Sequence, residues 1–322
     1  MGRWHAHSLQ RIGGFVAVVA DPDFARATLL AREFRGARAV ASLRDAIASD
    51  DIDIVHVCTP PDGREFIVAS ALHQRRHVLA EKPLASGAAR AAELHSLATS
   101  YGVILCPVHQ FVFQPGALRA AAMRDDIGVL RQFNAVIASA GASDGDDRAQ
   151  DRLVFDILPH PLSLAERLLD GGTGGVRWSA LRSSPGEATV IGAGSGLALS
   201  ITVSTHARPT RNTLHLSGDG GSVYADLFHG FAVVERGAVS RLHKAVRPFT
   251  VAGSTLIAAS ANLAGRAVRR ESAFPGLREL VSRFYAAVAT GDESPIPASE
   301  SIGAAAARDN IINLLRFDGA LA

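Results

Sequence analysis

Short, wholly apolar runs alternate with longer stretches whose apolar residues recur every three or four positions, and this rhythm governs the first hundred residues. The short runs read as strands and the longer stretches as helices, so the expected unit is βαβ and the expected sheet is parallel. Residues 15–20 (FVAVVA) carry no polar side chain, as befits a strand covered on both faces. Asp21-Pro22-Asp23 then opens a helix reaching residue 34, with proline in its first turn. Ser42 caps a short helix, 54–59 (IVHVCT) is a strand, 64–74 a helix and 77–80 (HVLA) a further strand. A long alanine-rich helix over 86–101 ends on Gly102 as a left-handed cap, and a strand follows at 103–108. The first domain is expected to span 1–108.

From 109 to 322 the rhythm changes. Strand-like segments at 131–140, 176–181, 197–206, 213–216 and 222–227 follow one another through Gly, Asp and Ser turns, which predicts a mostly antiparallel sheet. Two helices interrupt it, one over 153–169 and one over 277–288, where Leu277, Leu280, Val281, Phe284 and Val288 form one apolar stripe facing the core. Residues 141–150, rich in Gly, Ser and Asp, read as a mobile loop. The fold class is therefore α/β in the first domain and α+β in the second.

Composition narrows the function classes. The chain has 322 residues, 48% of them hydrophobic, enough for two globular cores. Its net charge of +2 is spread along the chain, which argues against a nucleic-acid partner. There is no run of about eighteen apolar residues and no basic-then-apolar leader, so the expected location is the cytoplasm, with no membrane partner. Cys58 and Cys106 each fall in an apolar strand-like run and are expected to be buried thiols. His5, His7, His56 and His73 show no metal-ligand spacing, and no metal is expected.

The chemistry concentrates at Glu81-Lys82-Pro83, where the strand 77–80 runs out. In an open α/β sheet that edge is where ligands bind. A cation there can stabilise an alkoxide developing as a hydroxyl proton leaves; the alternative for Lys82 is a surface cation paired with Glu81. Asp21, ending an earlier strand, can accept hydrogen bonds from ribose hydroxyls and repel a 2′-phosphate, or it can cap the helix that follows. Neighbouring Arg26 is a cation that could accommodate such a phosphate. Thr59 and Pro60 end another strand and can line a cofactor groove, or simply punctuate a loop. Asp156 and His160 stand four residues apart, one turn of a continuous helix, so imidazole and carboxylate can share a proton task or form a structural pair.

Gly-x-x-His at residues 2–5, the acidic Asp21, Thr59-Pro60, the stretch HVLAEKPLA at 77–85 and Asp156-x-x-x-His160 together resemble the Gfo/Idh/MocA oxidoreductase family. The likeness spans most of the chain, and 77–85 is its most specific part. It implies a Rossmann domain, then a domain whose open sheet supports substrate binding and homo-oligomer formation. It implies NAD as cofactor, with NADP possible, and hydride transfer at a secondary alcohol or ketone of a sugar, cyclitol or polyol. Lys82 and His160 would be catalytic with Asp156 assisting; Gly2, Asp21, Thr59, Pro60, Glu81 and Lys82 would contact or support the cofactor, and the Lys82–Pro83 bond would be cis. An NAD-dependent glycosidase and a non-catalytic sensor or scaffold are the alternatives.

The chain departs from the family pattern in three places. Ser163 stands where many relatives have Asp, and Gln110-Phe111-Val112-Phe113 where Asn-Arg-Arg-Phe is frequent, which makes the pocket mouth more apolar. Gly2 corresponds to the third glycine of G-x-G-x-x-G, and the first strand and first two glycines are missing. In the usual strand order that strand is central, so its loss leaves ladder groups unpaired on both neighbours. The expectation is a natural start roughly ten residues upstream; the rival is a shortened chain that binds dinucleotide weakly.

Overall fold

A computed structural model describes residues 1–47, 51–139, 146–237, 240–268 and 275–315. Two compact units are present: Met1–His109 with Leu277–Ile302, and Gln110–Gly276 with Gly303–Ala322. The stretch 277–302 thus returns to the first unit after the second sheet, a return that a boundary at 108 does not include.

The first unit runs α1 (Gly2–Arg11), β1 (Val18–Ala20), α2 (Phe24–Ala31), β2 (Arg38–Val40), α3 (Leu43–Ile47), β3 (Ile54–Val57), α4 (Arg64–His73), β4 (His77–Ala80), α5 (Ala88–Tyr101) and β5 (Leu105–Pro107). All strand pairs are parallel, as the alternating pattern predicts, yet they form two sheets, β1-β2 and β3-β4-β5. Among the described residues β1 pairs only with β2 and β3 only with β4. The strand expected over 15–20 is correspondingly short, and Phe15 is 67% exposed rather than covered on both faces. A strand with a neighbour on one edge alone has half the ladder to hold its ends in register. Ser42 does cap α3, its Oγ accepting the Asp45 N–H at 3.1 Å. Gly102 closes α5 at φ 66°. Cys58 and Cys106 are both free thiols, Cys106 buried and Cys58 half-buried.

The second unit runs α6 (Pro115–Ala122), β6 (Leu130–Ala138), α7 (Asp147–Ile157), α8 (Pro159–Leu168), β7 (Arg177–Ser184), β8 (Glu187–Gly194), β9 (Leu197–Ser204), β10 (Arg211–Gly218), β11 (Gly221–Asp226), β12 (Phe231–Arg236) and α9 (Arg241–Val268). α10 (Pro275–Thr290) belongs to the first unit from Leu277 onward, and α11 (Ala298–Leu315) to the second from Gly303 onward. The seven strands lie in the order β12-β11-β10-β6-β9-β8-β7, every pair antiparallel except β6 with β9.

Register assigns the two faces of this sheet. Val223, Leu216, Phe133 and Leu199 lie in one row across the strands, Ala225, Leu214, Ala135, Ile201 and Val190 in another, and all nine are buried. The opposite face carries the row Tyr224, His215, Asn134, Ser200 and Ile191 and the row Thr213, Val136, Thr202 and Thr189. That face is mainly polar, with Ile191 55% exposed.

Several expected elements differ. The helix over 153–169 is two helices meeting at Leu158, because Pro159 and Pro161 have no N–H to continue the ladder. Of the loop expected over 141–150, residues 141–145 lie outside the described residues, while 147–150 are the first turn of α7, capped by Asp146, whose Oδ1 accepts the Ala149 N–H at 2.7 Å. The strands β2, β8 and β12 and the helices α6, α9 and α11 lie outside the elements that the sequence pattern predicts. In α10 the predicted stripe is core: Leu277, Leu280, Val281 and Phe284 are fully buried, with Val288 half-buried at its end.

Candidate functional site

In the first unit Glu81, Lys82 and Pro83 follow directly from β4, with a cis Lys82–Pro83 bond. Glu81 is 5% exposed, and a buried carboxylate survives only if paired. Its partner is His5 on α1, whose Nε2 stands 3.1 Å from Glu81 Oε1. The His5 Nδ1 lies 3.0 Å from His56 Nδ1, and His56 Nε2 lies 3.1 Å from the Tyr285 hydroxyl on α10. Glu81 Oε2 also accepts the Lys82 N–H at 3.2 Å. One polar chain thus threads from α10 through β3 and α1 to the residue preceding Lys82.

The proton positions follow from the charges. Burial alone would hold His5 neutral, but Cys58 and Glu81 beside it outweigh burial and raise its pKa from 6.5 to about 9, so it is an imidazolium with two donors at neutral pH. Burial pushes Glu81 toward neutrality too, and His5 and Lys82 reverse that, leaving it below the ordinary carboxylate value and ionised. His56 is driven well below 6.5 by burial first and then by the His5 charge. A neutral His56 that accepts at Nδ1 must carry its proton on Nε2, so it donates to Tyr285. Burial raises the Tyr285 phenol well above its ordinary value.

A second anchor is Arg64, 4% exposed at the start of α4. Its Nε donates to the Thr59 carbonyl at 3.2 Å, its Nη2 reaches the same oxygen, and its Nη1 donates to the Pro83 carbonyl at 2.6 Å. The guanidinium therefore ties the loop after β3 to the loop after β4, fixing Thr59-Pro60 relative to Lys82-Pro83.

Each expected cofactor residue can be located. Thr59 Oγ1 is buried without a hydrogen-bond partner at the end of β3, a donor and acceptor free for a ligand, while Pro60 is exposed. Asp21 follows β1 and does not cap α2; Asp23 does, accepting from Ala25 and Arg26 N–H, while Asp21 Oδ1 accepts the Asp23 N–H at 2.9 Å. Arg26, the neighbouring cation, pairs with Asp23 at 3.2 Å. Gly2 opens α1, where an added Cβ would meet only ordinary contacts with Cys58 and Leu30, so packing does not demand glycine there. A carboxylate following β1 and an unpartnered hydroxyl at the end of β3 are groups that can hold a nucleotide.

In the second unit His160 lies in the first turn of α8 and Asp156 near the end of α7, so they do not share one continuous helix as their spacing suggested. Asp156 is exposed and His160 half-buried. The His160 ring stacks on Phe111, with centroids 3.9 Å apart and planes 13° from parallel. Phe111 belongs to the 3₁₀ turn Gln110–Phe113, held close against Gly276, where a Cβ would come 2.2 Å from the Gln110 carbonyl. Ser163 spends its hydroxyl on the His160 carbonyl at 2.8 Å.

Sequence reasoning missed the roles of His5, His56, Arg64, Tyr285 and Phe111. A signal existed for His56, a polar residue inside an otherwise apolar strand. None existed for Tyr285, whose partner lies 229 positions away, or for the reach of Arg64 to the Pro83 carbonyl.

Comparison with known proteins agrees with this layout. Residues 1–109 match the sequence model of the oxidoreductase family with an NAD-binding Rossmann fold. The chain is 32% identical over 162 residues to dTDP-3,4-didehydro-2,6-dideoxy-alpha-D-glucose 3-reductase of Saccharopolyspora spinosa, covering 48% of each. It is 38% identical over 110 residues to inositol 2-dehydrogenase 1 of Mycolicibacterium vanbaalenii, covering 34% of this chain and 32% of that one. The chain thus spans about half or less of these curated relatives. A levoglucosan dehydrogenase solved with NADH and levoglucosan has the same fold over 99% of this chain and 95% of its own, at a TM-score of 0.78 and 16% identity. Residues 1–109 thus match the model of the Gfo/Idh/MocA oxidoreductase family, and the full length of the chain shares the fold of the levoglucosan dehydrogenase.

Proposed function

We propose that the protein is an NAD-dependent oxidoreductase, NADP being the less favoured cofactor, which transfers hydride between the nicotinamide and a secondary alcohol or ketone of a sugar, cyclitol or related polyol. The observation that carries this reading is Lys82 at the end of β4, its neighbour Glu81 neutralised by the buried His5 imidazolium. At this strand end the Lys82 ammonium can stabilise a developing alkoxide. Bound NAD supplies the hydride acceptor. Thr59 and Asp21 would hold the nucleotide and Arg64 would keep the two loops aligned. The His160 imidazole takes the hydroxyl proton, its ring plane set by Phe111, and Asp156 on the preceding helix assists it. The relatives act on a dideoxy-sugar nucleotide and on inositol, as their names state, which supports a polyhydroxylated substrate.

We place the enzyme in the cytoplasm: its two cysteines are free thiols, and no described helix is long and apolar enough to cross a membrane. It works as a homo-oligomer, with the uncovered face of the seven-stranded sheet as one contact surface.

The test is nicotinamide reduction by the purified chain with NAD or NADP over a panel of inositols and sugars, with Lys82→Met in parallel. We expect turnover with NAD, and a loss on the order of a hundredfold in Lys82→Met. Release of a free sugar without net NADH would mean a glycosidase cycle. Binding without turnover, unaltered by Lys82→Met, would mean a sensor.

A further inference from the structure

The helix α9 has two faces with different fates. One is anchored in the second unit: Asn262, 4% exposed, donates to the His229 carbonyl at 2.5 Å and accepts from Arg119 at 2.9 Å, and Arg247 pairs with Glu235 of β12 at 2.7 Å. The other face leaves Phe249 79%, Leu256 68%, Ile257 71% and Leu263 70% exposed. Isolated exposed apolar residues need no explanation, but four on one face of one helix do.

Their spacing identifies what covers them. Val246, Phe249, Gly253, Leu256, Ser260, Leu263 and Ala267 follow one another at alternating steps of three and four, the period of a helix that packs along another helix. From Phe249 onward large and small residues alternate along this seam. Reversed about residue 258, the stretch from Phe249 to Ala267 matches itself: Phe249 meets Ala267, Gly253 meets Leu263 and Leu256 meets Ser260, so each large side chain faces a small one. A parallel pairing would set Phe249 on Phe249 and Gly253 on Gly253, with crowding at one level and a void at the next. Gly253 adds an independent observation. An added Cβ there would touch nothing within 4 Å, so glycine, disfavoured inside a helix, serves no contact within this chain.

We infer that α9 is a self-association surface, on which the α9 of a second copy of this chain packs antiparallel about a two-fold axis near residue 258, each Leu263 seated in the notch of its partner's Gly253. Such isologous contacts require self-complementarity of this kind. A lipid surface fits less well: helices lying on anionic membranes carry Lys and Arg along their polar face, whereas residues 248–265 carry no charge on any face and Arg247 before them is tied to Glu235. The seam from 246 to 267 is roughly 30 Å long and roughly 10 Å wide, or roughly 300 Å² per copy. That is below the roughly 800 Å² per partner of a lasting complex, so the pairing is reversible and depends on protein concentration.

The experiment is sedimentation velocity of the full chain over about 1 to 100 µM, read together with thermal unfolding. Gly253→Leu fills the notch without a clash inside the chain and removes a helix-interior glycine, so it should raise the melting temperature while weakening self-association at least tenfold. Adding Leu263→Ala should restore pairing, because the leucine introduced at position 253 then meets a small partner. Self-association that Gly253→Leu leaves unchanged would assign assembly to another surface, such as the open sheet, and overturn the inference. So would a chain monomeric throughout that range, or one that co-sediments with anionic phospholipid vesicles through α9.

Discussion

Glu81, the residue preceding Lys82, and His160 are held by opposite physics. In the first unit the residue beside Lys82 is fixed by charge: a buried carboxylate answered by a buried imidazolium, then a neutral imidazole, then a phenol, each end-on to the next. In the second unit His160 is fixed by shape, its ring laid flat on Phe111. A polar chain in a low-dielectric setting is stiff but unforgiving, because removing one member strands another. A stack degrades gradually and tolerates changes of protonation, since an aromatic face accepts neutral and cationic imidazole alike. Charge thus fixes the residue preceding Lys82 in direction, and shape fixes the plane of the His160 ring.

The largest effect should come from breaking the charged end of the first arrangement. Glu81→Leu leaves buried His5 either charged without its carboxylate or neutral with its Nε2 partner lost, which costs about 1 to 3 kcal/mol. Urea unfolding at neutral pH measures it. The double variant Glu81→Leu/His5→Phe should be more stable than Glu81→Leu alone, because no stranded charge remains. If the double is the less stable, the two residues contribute by packing and the charge argument fails.

Next comes pH. His5 has a folded pKa raised from 6.5 to about 9, so its stabilisation is complete below 6.5 and is lost as pH rises through about 9. His56 is depressed well below 6.5 and His95 to about 4, both by burial, so below 6.5 the unfolded chain binds protons that the folded chain refuses, and stability falls again. The urea midpoint should therefore peak near pH 6.5 and decline on both sides. A midpoint still rising between pH 7 and 9 would mean His5 is neutral in the folded protein.

How far this contrast was legible in the sequence follows from the range of the forces involved. The βαβ rhythm, the Ser42 and Gly102 caps and the α10 stripe are local patterns, and each appears in the fold. Glu81 and Lys82 could be singled out because a strand end is a local feature. Phe15 read as buried because periodicity reports what a residue could pack against, whereas its exposure depends on whether a neighbouring strand pairs there. Asp156 and His160 looked like one helical turn because spacing carries no warning of the break at Leu158 beyond the two prolines. The chain from His56 to Tyr285 spans 229 positions, and no local rule reaches that far.

Tyr285→Phe sharpens the far end of the polar chain. It removes the acceptor of the His56 Nε2 proton while keeping the ring on α10, and should cost about 1 kcal/mol, since one partner of a buried hydrogen bond is lost but no charge is stranded. Because Glu81 stays paired with His5, turnover should change less than stability does.

The smallest effect on stability, and the one that isolates the stacked side, is Phe111→Leu. Leucine keeps the apolar volume and loses the flat face, so His160 forfeits about 0.5 to 1.5 kcal/mol of stacking and its ring explores other orientations. Folding should hardly change, because Phe111 is only half-buried in a turn anchored by Val112 and Phe113. The loss should appear in kcat, between about two- and tenfold, with KM nearly constant, because orientation of the proton acceptor matters most in the transition state. Phe111→Tyr, which keeps the ring, should behave like the parent chain. A Phe111→Leu enzyme with unaltered kcat and pH–rate profile would mean that His160 is oriented by its own helix or moves no proton in the rate-limiting step, and the comparison between the two arrangements would lose its second member.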